Sequence, residues 1–213
     1  MKQTKQQYVY EYIKDKINKN EYPPGTPLTE EAICEELKVS RTPVRDAIRR
    51  LTGENLLVMT PGIGLSVSAI GLEDLIEIFD IREALEGMSV KQFIDRAPAA
   101  IVKRLRDCVD KGELAVADNN YNAFMESDME FHRIIDATVG NKRLSVMLDA
   151  IYEQINRLAY TNREDPAISR LGITGHKEIM KFIEKGDKDG AVSAMEEHVR
   201  SVKKYYLTKY FNL

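Results

Sequence analysis

PPGTPLTEEAICEELKVSRTPVRDAIRRLTGENLLVMTPGIGLSV, residues 23–67, is the stretch that decides the fold of this 213-residue chain. EYPPGTP at 21–27 cannot continue a helix, because proline lacks the N–H and clashes with the preceding turn, so it reads as a loop. A helix follows Thr29, whose hydroxyl suits an N-cap, with Ala32, Ile33 and Leu37 turned inward. Lys38-Val39-Ser40 is a tight connection, and Ser40 can cap the next helix, which runs over about 41–53. That helix buries Val44, Ile48 and Leu51, and residues four apart share a face, so Arg41, Arg45 and Arg49 point the other way. Leu56–Met59 and Leu65–Ser68 are short β-like runs, and Gly62 and Gly64 between them permit the positive φ of a hairpin tip. An amphipathic helix over about Thr4–Asn18 comes first, with Val9, Tyr12, Ile13 and Ile17 as its apolar stripe. The order helix, helix-turn-helix, hairpin predicts a winged helix-turn-helix over residues 1–70, with the hairpin as the wing.

Charge points to what this unit touches. The chain carries a net charge of −3, which argues against a general nucleic-acid coat. Residues 40–52 alone hold four arginines against one aspartate, a local basic footprint. An α-helix fits the major groove, and arginine bonds bidentately to guanine. Arg41, Thr42 and Arg45 are therefore the expected base readers. Arg49, two turns on, is expected at a phosphate, Ser40 at the helix start can meet another, and Gly64 lets the wing tip approach DNA closely. Asp46 could instead pair with a neighbouring arginine.

After Gly71 the pattern is helical only, over roughly 72–95, 98–117, 120–138, 142–162, 166–185 and 188–209. Six helices with short connections predict an antiparallel bundle over 71–213, with Leu75, Ile78, Leu85, Leu105, Phe131, Ile134 and Ile135 in its core and Tyr152, Ile155 and Leu158 at core spacing. The fold class is thus mainly α. No stretch approaches the roughly 18–20 apolar residues of a membrane helix, and the amphipathic start has no apolar signal core. Cys34 and Cys108 form no C-x-x-C pair and read as two buried reduced thiols of a cytoplasmic protein.

The bundle contains every histidine of the chain. Asp128 and His132 are four apart and leave one helix face. His176 and His198 each lie 11 residues from Asp187, in the turn KGDKDG at 185–190, so a helical hairpin places them at one height. Three imidazoles and a carboxylate make a divalent-metal site without thiolate, suited first to zinc, with nickel, cobalt or manganese as alternatives.

The residues quoted above resemble a known family. Residues 23–67, and VSRTPVRDAIRRL most specifically, look like the DNA-binding domain of GntR-type bacterial repressors. The remainder, with IFDIREALE near its start and the set Asp128, His132, His176 and His198, resembles the FCD effector domain of the FadR-type branch. Six helices point to its VanR-like subgroup. The resemblance implies a homodimeric transcription factor that binds double-stranded operator DNA at a palindrome and responds to a small carboxylate held above the metal. Arg82 is carried over as the effector's charge partner; pairing with Glu86, four residues on, is the competing use of that guanidinium. Arg157 is a weaker candidate, expected at the surface. Two departures stand out: Glu31 where many relatives have arginine, and Pro61-Gly62-Ile63 where many have a basic wing. A hinge is expected around Ser68–Gly71.

Two other functions use the same residues. The ion itself could be the signal, or the site could activate water in a hydrolase carrying a DNA-binding head. No nucleophile motif, phosphate-cradling glycine loop or dinucleotide fingerprint supports an enzyme.

Overall fold

The computed structural model describes the backbone of residues 4–162 and 165–213, and the chain folds as two compact units, Met1–Ile70 with Asn156–Thr161, and Gly71–Ile155 with Asn162–Leu213.

In the first unit, α1 (Lys5–Asn18) begins at Thr4, whose hydroxyl accepts from the Gln7 amide. β1 (Pro27–Leu28) precedes α2 (Glu30–Leu37) and α3 (Arg41–Gly53), and β2 (Leu57–Thr60) and β3 (Gly64–Val67) follow. The strands form one antiparallel sheet in the order β1-β3-β2, with Leu57 opposite Val67 and Leu28 opposite Leu65. β1 is absent from the sequence expectation because two residues are too short for any periodicity. It is an edge strand, where Pro27 costs no ladder bond. The wing tip turns at Gly62 and Gly64, both at positive φ (79° and 100°).

Val9, Ile13 and Ile17 of α1 pack with Ile33 of α2, Val44 and Leu51 of α3, and Leu57 and Val67 of the sheet. The stripe read from α1 also contains Tyr10, buried with its hydroxyl donating to Glu54, whereas Tyr12 is half-buried. Thr29 caps α2 as expected, accepting from the Ala32 amide at 3.1 Å, an interaction worth about 1 kcal/mol. Two expectations fail here. Ala32 is exposed, since α2 is short and buries only Ile33. Ser40 occupies the N-cap position of α3 but makes no side-chain capping bond, which leaves its hydroxyl to other partners. The turn between α2 and α3 places Lys38 in the left-handed region (φ 53°), a conformation that costs a side chain about 1–2 kcal/mol.

The second unit is built from α4 (Leu72–Arg96), α5 (Ala99–Ala117), α6 (Tyr121–Val139), α7 (Lys142–Asn162, apart from Asn156–Thr161, which belong to the first unit), α8 (Pro166–Lys185) and α9 (Lys188–Phe211), within a few residues of the sequence reading. α4 packs on α9 and α6, α5 on α6 and α8, and α8 on α9 and α6. Leu75, Leu105, Phe131, Ile134 and Ile135 are buried as expected, and Leu85 is half-buried. Asp187 turns out to be the N-cap of α9, preceded by the left-handed Gly186 that ends α8. These two residues fold α8 back along α9. Cys108 is buried, but Cys34 is only half-buried; both are free.

Candidate metal centre and DNA-reading surface

The α8–α9 turn brings His176 and His198 together, with ring centroids 4.8 Å apart. α6 supplies His132: its Nε2 lies 3.2 Å from His176 Nε2, and its ring is 5.5 Å from that of His198. One nitrogen from each of the three imidazoles falls within 4.8 Å of the others. Asp128, one helical turn before His132, puts Oδ1 3.5 Å from His176 Nε2 and keeps a quarter of its side chain exposed. Three of the four expected ligands, the imidazoles, thus meet at one point, and Asp128 approaches them at His176. Phe131, fully buried, stacks on the His176 ring at 4.0 Å and fixes its plane.

The donor set fits a divalent ion. Burial pushes the pKa of His176 and of His198 well below the ordinary value, and neighbouring imidazoles push the same way. Both rings are therefore neutral, the form that ligates metal. His198 Nδ1 is buried and lacks a hydrogen-bond partner among the described residues, which is costly unless something unseen satisfies it. Two nitrogens about 2.0–2.1 Å from one tetrahedral zinc ion lie roughly 3.3 Å apart, close to the observed His132–His176 spacing.

Arg82 also reaches this cluster from α4. It is 3% exposed, and its Nε donates to Glu86 Oε1 at 2.8 Å, the competing pairing anticipated from spacing. Its Nη2 lies 3.1 Å from His132 Nε2. Glu86 Oε2 comes within 2.9 Å of His132 Nδ1, although at an angle that leaves both atoms without a well-directed bond. Burial alone would raise the Glu86 pKa, but the charges of Arg82 and His132 outweigh it and hold the carboxylate well below its usual range. Arg157 is buried rather than at the surface, and its guanidinium donates to the Ser68 carbonyl.

Two contributors to the centre escape the spacing argument. Gly175 carries no side chain, and a β-carbon there would come within 2.8 Å of His198 Cγ. Gly172, one turn earlier, would likewise crowd Phe124 at 2.8 Å and Asp128 Oδ1 at 3.3 Å. Glycine inside a helix costs about 1 kcal/mol against alanine, so two such residues beside a candidate ligand are a signal of close packing.

On the first unit, Arg41, Thr42, Arg45 and Arg49 are all exposed on one side of α3, opposite buried Val44, Ala47, Ile48 and Leu51. Arg45 Nε donates to Glu30 Oε2 at 2.8 Å. Arg49 approaches Asp46 only to 3.8 Å and remains 83% exposed. Gly64 lies at the wing, next to Ile63, which is 76% exposed.

Residues 5–67 match the bacterial regulatory proteins of the gntR family, and residues 77–201 match the FCD domain. The chain is 33% identical over 132 residues to an HTH-type transcriptional regulator in the TAR-I ttuE-ttuC' intergenic region of Agrobacterium vitis, covering 60% of this chain and 77% of that one. It is 22% identical over 196 residues to the HTH-type transcriptional repressor RspR of Escherichia coli strain K12, covering 92% and 86%. A solved GntR transcriptional regulator from Rhodococcus sp. RHA1 shares the fold, with a TM-score of 0.80 at 20% identity over 96% of this chain and 98% of that one. No helix of the described residues is long and apolar enough to cross a membrane. The two matches together span nearly all of the chain, and both belong to regulators rather than enzymes: this protein belongs to the FCD-domain transcriptional regulators of the gntR family and is a DNA-binding regulator of transcription.

Proposed function

We propose that the chain is a homodimeric repressor that reads a palindromic operator with α3 and the wing, and senses a small carboxylate at a divalent metal, zinc in the first instance. Asp128, His132, His176 and His198 would hold the ion. The observation that carries this reading is the convergence of three buried imidazoles, two of them held neutral, with His198 Nδ1 and His132 Nδ1 lacking a hydrogen-bond partner among the described residues. A bound dication supplies open coordination positions and positive charge to an anionic ligand.

Charge makes the ion matter. Arg82, Glu86 and Asp128 together leave the polar centre with a single negative charge when the imidazoles are neutral. A dication reverses that sign, so a carboxylate is repelled from the metal-free centre and attracted to the loaded one. Arg82 gives direction: with Nε fixed by Glu86 and Nη2 facing His132 Nε2, Nη1 is the N–H group left for an anion. By linkage, a carboxylate that binds better to the DNA-incompetent arrangement weakens operator binding by the same factor.

The full chain, stripped of metal with a chelator, tests this by fluorescence anisotropy on a duplex that the wild-type protein selects from a random pool. Zinc alone should leave affinity nearly unchanged. Zinc with one of a panel of short mono- and dicarboxylic acids should change it about 5- to 150-fold, and the same acid without zinc should do nothing. A full change with zinc alone would make the ion the signal, and no change under any condition would overturn the sensor reading.

A further inference from the structure

The structure assigns Glu30 a part in reading DNA: it is the positioning residue of Arg45. This rests on Arg45 being a base reader, as proposed above. Glu30 is the first residue of α2, and its backbone is fixed by the Thr29 cap one residue before. Its Oε2 accepts from Arg45 Nε at 2.8 Å, across the turn between α2 and α3. Both side chains are solvent-exposed, 59% for Arg45 and 38% for Glu30, so the pair lies on the surface that carries Arg41 and Arg49.

The identity of the bonded nitrogen decides what the pair can do. A guanidinium is planar and presents its N–H groups in a fixed fork. With Nε held by Glu30, the two terminal nitrogens form the free end, and neither has a hydrogen-bond partner among the described residues. Two parallel N–H groups are what guanine O6 and N7 accept in the major groove. Glu30 thus orders Arg45 before DNA arrives and reduces the rotamer entropy that binding must remove. Arg41 has no such partner among the described residues, and Arg49 has only the distant Asp46.

Charge adds a second consequence. A lone arginine at the DNA surface gains affinity on any sequence by releasing counterions, whereas the Arg45–Glu30 pair is neutral as a unit. Glu30 therefore lowers affinity for DNA in general while raising discrimination at one base pair. A merely structural salt bridge would lower general affinity in the same way but would leave the discrimination unchanged.

The test uses the full chain, a consensus duplex selected by the wild-type protein from a random pool, and a scrambled duplex of equal length. Glu30→Gln should bind the scrambled duplex more tightly and with a steeper salt dependence. The ratio of scrambled to consensus dissociation constants should nevertheless fall about tenfold, with the loss concentrated at one base pair of each half-site. Arg45→Lys, which keeps the charge but loses the fork, should relax the same base pair, and the double variant should relax it no further. If Glu30→Gln tightens both duplexes equally while Arg45→Lys still relaxes one base pair, Glu30 is a repulsive charge and the positioning role is overturned. If Arg45→Lys leaves every base preference intact, the base-reading role of Arg45 falls, and that of Glu30 with it.

Discussion

Gly175 makes room for the His198 imidazole in the candidate metal centre. A methyl group there would improve helix propensity by about 1 kcal/mol, yet it would overlap the His198 ring. Overpacking of this kind costs about 1–3 kcal/mol, so Gly175→Ala should destabilise the protein, as chemical denaturation would show. Displacing one imidazole should also weaken zinc binding at least about tenfold, as calorimetric titration would show. Equal zinc affinity in the variant would mean that His198 is not a ligand. The four candidate ligands are legible in sequence, because a four-residue spacing and a symmetric turn both translate directly into geometry. Glycine has no side chain to announce its neighbour, so Gly175 is not. Nor is the approach of Glu86 to His132, since the register between α4 and α6 is set by packing, to which helical periodicity is blind. Spacing does anticipate the Arg82–Glu86 pair, which lies within one helix.

Helix ends are where the sequence speaks most clearly about elements. Thr4, Thr29, Asp165 and Asp187 each cap a helix with a side-chain oxygen, and Gly140 and Gly186 end helices in the left-handed region. Ser40 shows the limit: the right residue at the right place makes no capping bond. The wing is legible from its glycines, whereas β1 exists only because β3 offers it a partner. Asp165 makes this scale testable. Its carboxylate accepts from the Ala167 amide, the Tyr205 hydroxyl at 2.7 Å and Lys209 Nζ at 2.9 Å, tying the start of α8 to the end of α9. The Lys209 bond, then the other two, lower its pKa from 3.8 to about 2. A depressed carboxylate stabilises the fold above its unfolded-state value and ceases to do so as pH falls through the folded one. Asp165→Ala should therefore cost about 1 kcal/mol at neutral pH, and the deficit should shrink between about pH 4 and pH 2. Denaturation curves of both proteins across that range check it; a deficit independent of pH would show that the carboxylate's charge contributes nothing.

At the scale of the whole molecule, a chain of net charge −3 nevertheless concentrates four arginines within residues 40–52, on α3. The remaining acidity keeps non-specific attraction to nucleic acid low, so recognition falls on a few side chains. The second unit brings His132 together with His176 and His198, the latter two held neutral by burial, around a centre whose net charge a bound dication would invert. The proposed effector sensing depends on that inversion, and the ion can be tested before any effector is known. The most direct measurement is calorimetric titration of zinc into the metal-stripped full-length protein and into His176→Ala. One ion per chain bound by the wild-type protein, with loss of binding in the variant, is the predicted result. No binding by the wild-type protein, or equal binding by both, would contradict it.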